Sequence, residues 1–327
     1  MPATDLLSKL KAKLKSPLPP HAFVIERERL VYVGRRDAKG RPAPLGMGPL
    51  LVLSRPLPAG TFREGPGGAP VAGAALAATV SALVSEAGAK IAAASLVVPD
   101  DFVRVLALEA EKPNESPKET EEVLRWRLAR MFGDATPHRL AWQAAENGKG
   151  PGRLLAVAAP EEAVASWEAA FAPLGIRIGG LKTAALAVAP LAARVLSGDG
   201  FLVWAPSETA TTVFFAAEGL KFVRTKATAD VEEALQEIRL ASSFVEGAAA
   251  APPVAENAGL DVVGRCAAGP SSSPVVERFA RFRAENGGVP PKTLTPANLA
   301  AAGLAPPGTA GDDAVLLPAL GAMTGGD

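Results

Sequence analysis

The chain has one cysteine, two histidines and one tyrosine among its 327 residues, and each scarcity closes off a class of chemistry. Cys266 alone cannot form an internal disulfide. With His21 and His138 as the only imidazoles, no zinc-type cluster can be assembled. Net charge is absent too: 34 lysines and arginines balance 34 aspartates and glutamates, so no overall field draws nucleic acid or another polyanion. Long hydrophobic runs are also missing. The longest, Val71 to Val84, is mostly alanine, whereas spanning a bilayer takes about 20 strongly apolar residues. The basic N-terminal stretch is followed by no continuous apolar core, so no secretory signal is expected. What is present is an apolar content of 48%, which excludes a disordered chain and suffices for one large or two smaller cores. A cytoplasmic, metal-free protein is the expectation.

The stretch from Arg153 to Leu196 organises the rest. Leu154 to Ala159 is an apolar run of strand length, and Pro160-Glu161-Glu162 supplies the proline and acids of a helix first turn. Val164, Trp167, Ala170, Phe171 and Leu174 then recur at helical spacing, Gly175 suits a C-cap, and Ile176 to Ile178 is a short strand. A second helix is expected after Gly179-Gly180. Strand, helix, strand, helix is the order of an α/β domain.

Ahead of it, Leu6, Leu7, Leu10 and Leu14 share one face of a short basic helix, Asp5 to Lys15, readable as a membrane-surface contact or as a solvated leader. Pro17, Pro19 and Pro20 detach this leader from the body of the chain. Phe23–Ile25 and Leu30–Val33 flank the polar turn Glu26-Arg27-Glu28-Arg29 as a hairpin, and Leu50–Leu53 extends the sheet. An alanine-rich helix is predicted over Val71–Ala87 and strands over Ser95–Val98 and Val103–Leu108. The helix Glu119–Phe132 is predicted to face Val123, Trp126, Leu128 and Met131 inward, and Leu140 opens another strand. Past Gly198-Asp199-Gly200 come three strands, Phe201–Ala205, Thr211–Ala216 and Leu220–Arg224, then a helix from Asp230 to Val245. A buried strand at Asp261–Val263, a helix over Pro274–Glu285 and an apolar close, Ala314–Met323, complete the chain. Three strands followed by a helix thus occur twice, from Phe23 and from Phe201.

Catalytic motifs fail one by one. Gly148-Lys149-Gly150-Pro151-Gly152 lacks the spacing and the strand-to-helix context of a phosphate loop. No Gly-x-Ser-x-Gly elbow occurs, and neither histidine stands at a recognisable spacing from a nucleophile. The pairs Glu121-Glu122 and Glu161-Glu162 sit in helix first turns, where acids complement the macrodipole. No catalytic residue and no metal ligand is assigned.

Glu119–Arg130 followed by Met131–Gln143 resembles the charged helix, short turn and Tyr-Gln strand of the PilM family of type IV pilus assembly proteins. Leu154–Leu191, Glu218-Gly219-Leu220-Lys221-Phe222-Val223-Arg224 and the closing Leu316–Ala322 resemble its later blocks in order. The cytoplasmic domain of GspL from type II secretion is similar. The resemblance implies an α/β, actin-like (ribonuclease H-like) duplicated fold with a small subdomain inserted in the first half. It divides the chain into a leader and proline-rich linker (1–20), a first half (21–197, insertion about 94–146) and a second half (198–327). Members that hold ATP have an Asp-x-Gly turn in each half, because glycine lets the backbone approach the phosphates and the aspartate organises metal and water. Here Glu26–Arg29 has no glycine, Trp204-Ala205-Pro206 stands at the second turn, and the glycine pair expected near the nucleoside is reduced to isolated Gly264 and Gly269. ATP with magnesium is therefore disfavoured and no cofactor is expected; if a nucleotide binds, Ser207, Thr209 and Thr211 are its candidates.

The function implied is a cytoplasmic scaffold, peripheral to the inner membrane, of a pilus or type II secretion platform. Its expected partner is the tail of a PilN-like single-span membrane protein, with no nucleic acid and with a homo-oligomer left open. Leu96, Val98, Arg125, Arg127 and Arg130 are the candidate partner-binding residues. The alternative is an active actin-like ATPase or sugar-kinase-like phosphotransferase with an atypical phosphate site.

Overall fold

The computed structural model describes residues 18–35, 49–65, 68–110, 116–132, 137–145, 152–206, 209–216, 219–228, 230–249, 265–306, 309 and 311–324. The first half opens with β1 (His21–Ile25), β2 (Arg29–Arg35), β3 (Leu50–Pro56), β4 (Phe62–Glu64), β5 (Pro70–Ala72), α1 (Ala74–Ala87) and β6 (Ala93–Val98). Then come β7 (Arg104–Ala110), α2 (Pro117–Phe132), β8 (His138–Ala145), β9 (Gly152–Pro160), α3 (Glu161–Ala169), β10 (Arg177–Thr183) and α4 (Ala184–Leu196). The second half holds β11 (Gly200–Trp204), β12 (Thr209–Ala216), β13 (Gly219–Ala227), α5 (Val231–Ala249) and β14 (Cys266–Gly269). It ends with α6 (Pro274–Glu285), β15 (Lys292–Thr293), α7 (Pro296–Ala301) and α8 (Asp313–Thr324).

Two separate five-stranded sheets result, β10-β6-β1-β2-β3 and β13-β12-β11-β14-β15. Their central strands are apolar at nearly every position because both faces are covered. In β1, Phe23 and Ile25 pack outward with α1 and α3, where Leu76, Val80, Val164 and Trp167 lie. Ala22 and Val24 point the other way, onto α4 and α8. The second sheet mirrors this: Phe201 and Val203 meet α5 and α6, while Leu202 and Trp204 turn inward to the same α4–α8 layer. That layer is very thin. A Cβ built on Gly321 of α8 would lie 1.8 Å from the Ala187 carbonyl oxygen of α4, so only glycine permits the crossing.

A third sheet, β7-β9-β8, is small and antiparallel, and α2 covers it by placing Leu124 against Leu154 and Ala156. It spans 104–160. The run at 93–98 pairs instead with β1 and β10 in the first large sheet, a different division from the expected insertion at about 94–146. The organising stretch is accordingly split between sheets: β9 lies in the small one and β10 in the large one. β10 also continues through Gly179-Gly180 to Thr183, with a register shift between Ile178 and Gly180, where glycines accommodate a bulge.

Other expectations need correction. Val71 pairs with Arg63 in a short hairpin, so α1 starts at Ala74. On α2 the buried face is Leu124 and Leu128, whereas Val123 (41% exposed) and Trp126 (59%) look outward. Leu174, the last of the residues at helical spacing, is 36% exposed. The basic leader up to residue 17, the Gly148–Pro151 loop, Asp261–Val263 and Gly264 lie outside the described residues. Among the described residues no helix is long and apolar enough to cross a membrane. Cys266 is buried in β14, and desolvation pushes its thiol up to about 12, so it remains protonated and inert.

Candidate functional site

The C-terminal ends of β1, β6, β11 and β14 converge on a cleft of about 580 Å³ between the two sheets. In α/β architectures ligands gather at such strand ends. The turns singled out in the sequence do line it: Glu26 to Arg29 from one half, Trp204 and Pro206 from the other, with Asp100, Asp101 and Asp312.

In each turn one backbone donor is engaged within the protein. The Glu26 amide donates to the Arg29 carbonyl at 2.9 Å, closing the hairpin, and the Ala205 amide donates to the Gly269 carbonyl at 3.0 Å, extending the sheet. Pro206 has no amide proton. Gly269 makes room for the tryptophan, since a Cβ there would meet Cζ3 of Trp204 at 2.9 Å. Five carboxylates (Glu26, Glu28, Asp100, Asp101, Asp312) and two guanidinium groups line the cleft, an excess of negative charge facing any polyphosphate. Both arginines are paired already. Arg27 binds Asp101, and Arg29 binds Glu26 and, across the cleft, Asp312. The hydrogen bond to Glu26, followed by that to Asp312, holds Arg29 above arginine's ordinary pKa.

Asp100 is the deepest acid, 4% exposed. Its Oδ1 accepts from the Ala185 amide at 2.9 Å, in the first turn of α4, while Thr183 caps the next amide. Burial raises its pKa to about 6, against the opposing bonds from Ala185, Thr183 and Thr211. Sequence reasoning missed it, because an acid after an apolar strand reads as a turn residue.

Of the three candidate hydroxyls, Thr209 lines the cleft, and Thr211 lies buried against Thr225 at 3.1 Å and Asp100. Ser207 lies outside the described residues. Among the described residues no group of histidine, cysteine and acid side chains could hold a metal.

The candidate partner residues do not form one surface. Leu96 and Val98 are fully buried in the outer core of the first sheet, because β6 runs between β1 and β10, so neither can meet a partner. Arg125 is held by Glu121 (2.6 and 3.0 Å) and by the His138 carbonyl (2.8 Å). Arg127 is on the same helix, and the Arg130 guanidinium stacks 5.5 Å from the exposed Trp126 ring. A different groove, of about 650 Å³, lies between the small sheet, α4 and the β12–β13 hairpin, with Trp142, Leu155, Leu186, Pro190 and Leu220 among its walls.

No protein-family model matches this chain, and no curated protein does. Among solved structures, a PilM–PilN type IV pilus biogenesis complex aligns with a TM-score of 0.67 at 17% identity, over 94% of this chain and 97% of that one. A protein of Bacteroides thetaiotaomicron with an actin-like ATPase fold and unknown function aligns at 0.50 and 8% identity, over 88% and 96%. The cytoplasmic domain of EpsL, an inner membrane component of the Vibrio cholerae type II secretion system, gives a TM-score of 0.39 at 10% identity, over 76% and 80%. The chain has the actin-like ATPase fold.

Proposed function

We propose that this protein is a non-catalytic cytoplasmic scaffold of a type IV pilus or type II secretion assembly platform, holding the tail of a PilN-like single-span inner-membrane protein. The observation that carries the reading is the state of the cleft. One amide of each turn is engaged, Pro206 has none to offer, and an arginine–aspartate pair crosses the space between the halves. The partner comes from the PilM–PilN complex, in which a chain of this fold is found with a second protein; that step is an analogy of fold. The groove beside the small sheet is the place we assign to the tail, as grooves flanked by edge strands suit extended peptides. One observation favours the rival phosphotransferase: Asp100 is a buried carboxyl at the cleft floor with a pKa near 6, suited to a general base. Melting the protein with millimolar ATP and magnesium separates the two. A nucleotide at a hundred times its dissociation constant would add about 2.7 kcal/mol of stability. We expect no shift; a clear rise in melting temperature would return the cleft to the ATPases.

A further inference from the structure

The groove beside the small sheet is lined mostly by apolar side chains, with Gln143 and Lys182 as the polar ones. Lys182, on β10, is the only charged side chain among the described residues lining it. Its ammonium has three protons. One reaches the Gly321 carbonyl, 3.3 Å away near the end of α8, and the other two have no partner among the described residues. The group is half-buried, and desolvation lowers its pKa, so the charge is held at a cost that an incoming anion would offset.

Two backbone features also mark the groove. Pro190 lies inside α4 and has no amide proton for the Leu186 carbonyl, and both residues line the groove. β8 is an edge strand of the small sheet, and its Trp142 and Gln143 stand on the rim.

Resting on the reading that this groove takes a partner's tail, we propose that it selects an extended segment with apolar side chains at alternate positions and one carboxylate that pairs with Lys182. The alternation follows from strand geometry, in which every second side chain of an added segment faces the wall formed by Leu155, Leu186 and Leu220. The carboxylate follows from charge: an ion-assisted hydrogen bond in a half-buried site is stronger than a neutral one.

The test starts with random octapeptides displayed on phage and selected on the purified full-length chain. Selected sequences are made as glutamate and glutamine pairs, and their affinities are measured by fluorescence polarisation. The proteins compared are the unaltered chain, Lys182→Met, and Gln143→Trp, which fills the rim from an exposed position. We expect each selected peptide to carry an acid. Replacing it by glutamine should weaken binding to the unaltered protein about tenfold or more, a difference that Lys182→Met should remove. Gln143→Trp should block all of them. The glutamate–glutamine comparison on the unaltered protein stands even if Lys182→Met loosens the end of α8.

Peptides that Gln143→Trp blocks but that show no preference for an acid would overturn this inference and leave the scaffold reading intact. Peptides indifferent to Gln143→Trp would place the binding elsewhere and overturn the assignment of the groove. Failure to select any peptide would remove the scaffold reading, and the inference with it.

Discussion

Replacing Asp100 by asparagine tests the chemistry of the cleft floor most directly. The carboxyl is 4% exposed, and its pKa rises from the usual 3.8 to about 6, with burial as the leading cause. At 1.36 kcal/mol per pKa unit, the ionised carboxyl costs the folded state about 3 kcal/mol near neutral pH. The sign is set by proton linkage. Between about pH 4 and 6 the folded protein binds a proton that the unfolded chain has released, so this residue's contribution to stability falls as pH rises through that window and then levels off. Asparagine keeps an acceptor for the Ala185 amide, 2.9 Å from Oδ1 in the native protein, and carries no charge. The advantage of Asp100→Asn should therefore be near zero at about pH 3, about 1 kcal/mol at about pH 4.5 and about 3 kcal/mol by about pH 7.5. Urea unfolding followed by the fluorescence of the buried Trp167 and Trp204 measures it at each pH. An asparagine variant that is the less stable one at pH 7.5 would refute the reasoning. It would mean that the first turn of α4 and the two threonines stabilise the ionised form more than burial penalises it.

Two further substitutions test the packing. Leu124→Ala should lower stability by about 2–3 kcal/mol, because the leucine fills the small core over Leu154 and Ala156, while Trp126→Ala should stay within about 0.5 kcal/mol; equal effects in chemical unfolding would return the tryptophan to the interior. Gly321→Ala should lose about 1–3 kcal/mol in spite of alanine's better helix propensity, since its Cβ would enter the Ala187 carbonyl. Adding Ala187→Gly should give no rescue, as the obstruction is backbone, and a recovered urea midpoint in the double variant would contradict that geometry.

The large sheets were legible because covering both faces leaves a continuous apolar signal, as in Phe23–Ile25 and Phe201–Ala205. Pro274 and the preceding Ser273, whose hydroxyl accepts from Val276, likewise announce the start of α6. On α2 the sequence offers two apolar stripes, Val123 with Trp126 and Leu124 with Leu128, and periodicity alone does not say which one a three-stranded sheet will cover. Periodicity is equally silent on partners, so β9 and β10 looked like neighbours although they belong to different sheets. The missing phosphate turns were readable as missing residues. The amide bond from Ala205 to Gly269 and the Arg29–Asp312 pair, the latter between residues 283 positions apart, needed the fold.

The fold also bears on how the cleft can behave. Val24 and Val31 of the first sheet and Leu202 and Val213 of the second belong to one continuous core, joined through α4 and α8. An interface that is large and apolar resists relative motion far more than a wet one. Rotating one sheet against the other must slide α8 along α4, and the contact of Gly321 with Ala187 leaves no room for a side chain, let alone for a ratchet past the neighbouring turn. Arg29 and Asp312 line the cleft and are both partly exposed, so their pair contributes little to stability while it spans the cleft. A machine driven by nucleotide needs a cleft that opens, closes and offers backbone donors. A platform needs a stiff centre and binding surfaces on its periphery, and the small sheet with its open β8 edge stands on that periphery.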